Sequence, residues 1–208
     1  MTSTKDLLYY IPAGQYGKEG VLALLEQHPE IKFVSLVGID LAGNDTDEKI
    51  PMAAFFDDYE AFFEGRAVQT DGSSVVLTNI ATLNNARVDM WGDPSVNWFV
   101  DYNYENIDEA TGLPTGTLRI PAFLMHNYRY VDSRSILKNS CDYVRAELLS
   151  LIKEHGLPGM PHVKADDVVD IIFTSATELE FWVKTPSRTV TKKELSVSQK
   201  LQEQYWQR

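Results

Sequence analysis

The apolar positions of the chain change period several times, and each change marks an element. Residues 1–16 are mixed, include Pro12 and Gly14, and read as an arm. From 17 to 28, Val21, Leu22, Leu24 and Leu25 fall between charges, the pattern of a short amphipathic helix that ends before Pro29. Lys32 to Asp40 is a strand by composition, Leu41 to Asp45 a turn, and Glu48 to Ile50 the start of a return strand. Pro51 opens a helix, where its missing N–H does no harm. Met52, Phe55, Phe56, Tyr59, Phe62 and Phe63 form one apolar stripe backed by Asp57, Asp58, Glu60 and Glu64, and Gly65 closes the helix in the left-handed conformation. Six large side chains on one face are a core stripe, so this helix lies across a sheet.

Val68 to Leu77 holds Asp71-Gly72-Ser73-Ser74 between two strand-like runs, and its plain reading is an Asp-Gly turn. Ile80 to Leu83, Ala86 to Met90, a turn at Gly92-Asp93-Pro94 and a strand from Val96 to Tyr102 follow. A polar loop from Asn103 to Gly116 leads to a strand from Thr117 to Met125. Several strands with a helix laid on one face make an α+β layer.

The composition changes at about 131. Asp132 or Ser133 caps a long helix with Leu137, Cys141, Val144, Leu148 and Leu151 as its stripe, widened by Ile136, Leu149 and Ile152. It stops at His155-Gly156, with Pro158 beyond, and Gly156 to Pro161 is a loop. Cys141 on that stripe reads as a buried, inert thiol. Val168 to Thr174 then enters, as a strand, the stretch Ser175 to Lys184. Lys192 to Tyr205 is helical by pattern, with Leu195, Ser198, Leu201 and Tyr205 on one side. One helix, one strand and part of another helix are too little to cover a core. The region from 131 therefore reads as the opening of a second domain cut short, with a docked tail as the alternative.

Composition narrows the function classes. The 208 residues suit one large domain or one and a half, and 44% hydrophobic residues are enough for a core. Nineteen Lys and Arg stand against thirty Asp and Glu, a net charge of −11 that repels phosphate backbones and anionic lipid, so neither nucleic acid nor a membrane surface is expected as partner. No apolar run approaches the roughly 18–20 residues of a membrane span. The N-terminus lacks an export signal, and Cys141 is the one cysteine, so the cytoplasm is the expected compartment.

The candidate chemistry lies in the last strand. Alternation puts Thr177, Leu179, Phe181 and Val183 on one face and Glu178, Glu180 and Trp182 on the other. The two glutamate α-carbons are then roughly 6.5–7 Å apart, close enough to reach one divalent cation or to hold one each of a pair. Hard cations such as Mg²⁺ or Mn²⁺ choose such oxygens. A strand with one wet face also produces Glu-x-Glu, but Trp182 on the same face argues against a face turned simply to water.

Taken in order, these segments resemble the amino-terminal part of glutamine synthetase, from about Phe33 to the end. Asp71-Gly72-Ser73-Ser74, after the Phe-rich helix and Gly65, resembles the family's Phe-Asp-Gly-Ser-Ser signature, with Thr70 in place of the Phe. Val88-Asp89-Met90 with Asp93-Pro94-Ser95 is similar to its Ser-Asp-Met…Pro-Asp stretch. Ser133-Arg134-Ser135-Ile136-Leu137 resembles the Pro-Arg-x-Ile-Leu start of its first catalytic-domain helix, with Ser133 for Pro. Thr177-Glu178-Leu179-Glu180-Phe181 is similar to its Glu-x-Glu-Phe metal strand.

The resemblance implies an α+β chain with an N-terminal arm and helix over 1–29, a β-grasp domain over 30–130, and the beginning of a catalytic domain, apparently truncated, over 131–208. It implies a glutamate–ammonia ligase that joins ammonium to glutamate with ATP through a γ-glutamyl phosphate, with Mg²⁺ or Mn²⁺ and a homo-oligomeric ring. Glu178 and Glu180 would be metal ligands. Asp71, with Ser74 beside it, would bind ammonium and help deprotonate it, and in the family that aspartate is donated into the neighbouring subunit's site. The family's other metal ligands and its substrate arginines lie downstream, so the 208-residue chain alone is expected to be inactive. His126 and His162 match none of its positions. A non-catalytic β-grasp module for oligomerisation or regulation, and another glutamate–amine ligase of the superfamily, are the alternatives.

Overall fold

The computed structural model describes residues 7–78, 80–83, 86–178 and 180. The chain divides into two units, Met1–Ile171 and Ile172–Arg208.

The first unit is α+β, and its spine is one long strand. In chain order the strands are β1 (Tyr10–Ile11), β2 (Ile31–Ile39), β3 (Asp45–Pro51), β4 (Val68–Asp71), β5 (Arg87–Gly92), β6 (Trp98–Ile107), β7 (Pro114–His126) and β8 (Arg129–Tyr130). The first half of β7 pairs antiparallel with β6 and parallel with β2, and its second half pairs with β5 and β8. β3 extends the sheet beyond β2, β1 beyond β6, and β4 hangs on β5. One continuous strand thus links the β1-β6-β7-β2-β3 sheet to the β4–β5 pair.

Alternation along the central strands makes the core. Val34 and Leu36 of β2 lie opposite Leu118 and Ile120 of β7, and all four are fully buried. The cover is the Phe-rich segment. Phe55 is fully buried, with ring centroids 5.0 Å from Phe62 and 5.1 Å from Tyr59, and Phe63 stacks on Trp98 at 5.3 Å. This segment is two helices rather than the single one expected: α2 (Met52–Asp57) and α3 (Tyr59–Phe63), with α1 (Lys18–Glu26) preceding both. Asp58 breaks the helix because its carboxylate caps the next one, accepting from the Ala61 N–H at 3.3 Å. Gly65 ends α3 at φ 68, and an added Cβ there would fall 1.8 Å from the Trp91 indole nitrogen.

Other expectations are corrected. The polar loop expected over 103–116 is mostly strand, and only a turn over 108–113 remains, closed by Asp108 through Thr111 and by Gly112 N–H on the Asp108 carbonyl. Val75 to Leu77 is not a strand. The long helix, α4 (Ser133–His155), begins at the Asp132 cap and ends at Gly156 with φ 75, as its signals require, but its stripe is not core. Leu137, Val144, Leu148 and Leu151 are exposed and Cys141 is half-buried. Arg145 pairs with Asp170 at 2.5 Å, so the chain after α4 returns to it.

Of the second unit, residues 172–178 and 180 have no regular secondary structure. The strand expected through Glu178 and Glu180 is absent from the described residues. A strand forms only where a neighbour takes its backbone N–H and C=O groups, and no described strand pairs with this stretch. Leu179 and Trp182 lie outside the described residues.

Candidate functional site

The Asp71 turn is braced from three directions and presents its polar groups outward. β4 ends at Asp71, and Gly72–Ser74 form one 3₁₀ turn. The Asp71 carboxylate accepts from the Ser73 N–H at 2.7 Å. Behind it the Gly72 N–H donates to the Ala86 carbonyl at 2.7 Å, and a Cβ on Gly72 would lie 2.1 Å from the Leu83 carbonyl oxygen, so no side chain fits there. Beyond the turn Val75 and Leu77 are buried in the core. Val76 between them is bound on both backbone groups by the β2–β3 turn: its N–H donates to Asp40 Oδ2 at 2.9 Å, and its carbonyl accepts from the Leu41 N–H at 3.2 Å. Asp71, Ser73 and Ser74 are left exposed.

The Ser73 hydroxyl and amide hold the Asp71 carboxyl below the usual carboxylate range, so it is anionic at neutral pH. An exposed carboxylate with two hydroxyls next to it, on a turn fixed by its neighbours, can pair with a small cation or take a proton from one.

The sheet places further charge beside it. Asp71 lies opposite Arg87, and Gln69 opposite Asp89, so Asp71, Arg87 and Asp89 share one face. The Arg87 guanidinium binds Asp89 at 2.7 Å. A shallow cleft on that face is lined by Arg87, Asp89, Trp91, His126 and Tyr128. His126 Nδ1 is 3.0 Å from the Arg87 carbonyl, and Asn127 Nδ2 is 2.9 Å from His126 Nε2. An amide donor on Nε2 leaves Nδ1 to carry the proton and donate to that carbonyl. His126 is thus satisfied, and His162 is exposed.

Two of the sequence motifs meet in space. The Asp93 carboxylate, 3% exposed, accepts from the Ser95 N–H at 2.9 Å, the Ser95 hydroxyl and Arg134 at the start of α4. The Arg134 guanidinium also lies 4.9 Å over the Phe123 ring. At the same junction Asp132 is buried, and accepts from the Ser135 N–H, the Ser135 hydroxyl and the Leu124 N–H. Composition offers Asp132 or Ser133 as the cap, and Asp132 is the one that serves. Nothing in the local pattern marked Asp93, Arg87 or Asp40 as bound residues: Arg134 and Val76 reach Asp93 and Asp40 from distant segments, and Arg87 meets Asp89 only because the two share one face of β5.

Glu178 and Glu180 are exposed. Among the described residues no group of three or more His, Cys, Asp or Glu is placed to hold a metal ion. No described helix is long and apolar enough to cross a membrane.

No protein-family profile matches this sequence, and no curated protein matches it. Among solved structures the chain is similar to a glutamine synthetase of Plasmodium falciparum determined by cryo-electron microscopy. The two share 14% identity with a TM-score of 0.43, over 66% of this chain and 24% of that one. The chain thus spans about a quarter of the length of the structure that it matches.

Proposed function

We propose that the chain is the N-terminal part of a glutamine-synthetase-type ligase, which joins ammonium to glutamate with ATP through a γ-glutamyl phosphate. The observation that carries this reading is the Asp71-Gly72-Ser73-Ser74 turn, exposed, anionic and held where Gly72 alone fits. The other motifs support it in the same chain order, and Asp93 of one is bound to Arg134 of the next. A hairpin (β2–β3), helices across the sheet and a parallel central pair (β2 and β7) support a β-grasp arrangement.

On this reading Asp71 attracts ammonium by charge pairing and accepts one of its protons. The freed ammonia then attacks the γ-carbonyl carbon of the acyl phosphate, phosphate leaves with the electrons of the C–O bond, and the attacking nitrogen gives a second proton to water to leave the neutral amide. Glu178 and Glu180 offer hard oxygen ligands of the kind that Mg²⁺ or Mn²⁺ selects, and a divalent ion supplies neutralisation of phosphate charge. Two carboxylates are fewer than a metal pair needs, so the remaining ligands come from chain beyond this sequence. The exposed apolar stripe of α4 supports that reading, since a further part of the enzyme is a cover for it. A homo-oligomeric ring follows if Asp71 serves a neighbour's site.

The test uses the chain extended to its natural stop codon. In that enzyme Asp71→Asn should raise KM for ammonium by about tenfold or more, the loss of one charge-assisted contact, while KM for ATP stays put. A parallel rise in both constants, or a ligase untouched by the substitution, removes Asp71 from the ammonium site.

A further inference from the structure

The buried carboxylate of Asp40 is unused by the reading above, and its geometry is more demanding than a turn requires. Asp40 is 1% exposed. Its Oδ1 accepts from the Ala42 N–H and the Asn44 N–H, both at 2.9 Å, which is the ordinary way an aspartate closes its own turn. Its Oδ2 accepts from the Asn44 side-chain amide at 3.0 Å and from the Val76 N–H at 2.9 Å, across 36 residues of sequence. The second oxygen therefore does what no local cap needs: it reaches the segment that carries Asp71.

We propose that Asp40 is the positioning residue of the Asp71 turn, and that the β2–β3 hairpin sets where that turn stands through Val76. The consequence for ammonium rests on the reading of Asp71 given above; the positioning itself does not. Val76 is two residues after Ser74 and five after Asp71. Its N–H goes to Asp40 and its carbonyl accepts from Leu41, so neither of the peptide units that flank its α-carbon can shift without breaking a bond to the hairpin. Val75 and Leu77 anchor the flanking side chains in the core. The Asp40–Val76 bond, with the Leu41–Val76 bond beside it, ties the backbone between them to the hairpin. Both oxygens must be acceptors. An amide in place of the carboxylate presents N–H to either the turn amides or Val76, and the two donors repel.

Asp40→Asn separates the two duties. With its carbonyl toward Ala42 and Asn44, the turn survives; Asn44 can turn its own amide to accept; only Val76 loses its acceptor. Hydrogen exchange on the 208-residue protein is the readout. The Val76 amide should exchange about tenfold faster or more in the variant, the loss expected for a bond to a charged acceptor, while Leu36 and Ile120 in the central strands keep their rates. An unchanged Val76, or an equal rise at all three amides, overturns the proposal. If Asp40→Asn does not fold, Asp40→Ser keeps one turn-capping oxygen and lacks the second, and the same comparison applies. Failure of both variants to fold overturns positioning in favour of a role in the fold as a whole.

In the complete enzyme Asp40→Asn should raise KM for ammonium severalfold with KM for ATP unchanged, and should add nothing in an Asp71→Asn background. Additive effects there overturn the link to Asp71. If that enzyme shows no ligase activity, the ligase reading falls, and the exchange rates still decide whether Asp40 positions the turn.

Discussion

Replacing Arg134 by alanine and Asp93 by asparagine, singly and together, measures how firmly the β5–β6 turn is tied to α4. The Asp93 side chain is 3% exposed while that of Arg134 is 40% exposed, so the two ends of the pair differ in solvation. Removing Arg134 leaves Asp93 Oδ2 without its charged donor at a nearly dry site, and strips the cation from the Phe123 face. A hydrogen bond to a charged group contributes about 1.5–3 kcal/mol, and a cation over an aromatic ring about 0.5–1 kcal/mol where exposed. Water that reaches the vacated arginine site offsets part of this, so the single substitution should cost about 2 kcal/mol. Asp93→Asn can keep its oxygen toward Ser95 only by pointing its amide donors at the guanidinium, for a cost of about 1–2 kcal/mol. Once Arg134 is gone that conflict is gone too. The double variant should therefore fall short of the sum by about 1–2 kcal/mol, read from urea unfolding of the four proteins at neutral pH. A coupling below about 0.3 kcal/mol would mean that the pair contributes nothing and that α4 is held by other contacts.

The same pair has a pH signature. Burial pushes the Asp93 carboxyl up, but the Ser95 hydroxyl, Arg134 and the Ser95 amide outweigh it, and the net position lies below the ordinary value of 3.8. A carboxyl whose folded pKa is depressed stabilises the fold fully above its unfolded pKa, and that contribution is lost as pH falls through the folded one. The stability difference between the wild-type protein and Arg134→Ala should be flat from neutral pH to about 5 and shrink below about 4. Shrinkage near pH 6 instead would point to a histidine, and the assignment to Asp93 would fail.

Two packing predictions stand beside these. Gly72→Ala drives a Cβ into the Leu83 carbonyl at 2.1 Å, and should destabilise by about 1–3 kcal/mol, whereas Gly159→Ala, with nothing within 4 Å, should be near neutral; equal shifts in thermal unfolding would refute the close approach. Phe55→Ala empties the contact of α2 and α3 with the sheet and should cost about 3–5 kcal/mol, and a loss under about 1.5 kcal/mol in urea unfolding would mean that these helices are not the cover of the core.

The elements that could be read from the sequence are those whose cause is local or lies in a repeating pattern. The stripe from Met52 to Phe63 reported its buried face correctly because period and partner are both large. Its break at Asp58 escaped, since an aspartate on the polar side of a stripe looks the same whether it faces water or caps the next turn. The loop expected over 103–116 failed for a related reason. Asn103, Tyr104, Glu105 and Asn106 carry the polarity of a loop, but β7 pairs with Asn103 and again with Ile107 on either side of an irregularity, and an exposed strand needs no apolar alternation.

The candidate site divides along the same line. Asp71-Gly72-Ser73-Ser74 was legible because a turn is built from its own residues, and Gly72 states its reason in the space it lacks. Asp40 was not, although it sits in a stretch with obvious turn composition, because one of the four bonds its carboxylate accepts comes from 36 residues away. Glu178 and Glu180 show the opposite failure. Alternation describes which side a residue faces once a strand exists, but the strand exists only if another strand takes its hydrogen bonds. Apolar residues at α4 and carboxylates at 178 and 180 both carry patterns that ask for a neighbour, and both are exposed. A pattern read from a sequence is a statement about a surface and its cover together, so it holds at Val34, Leu36 and Phe55, where both belong to the described chain.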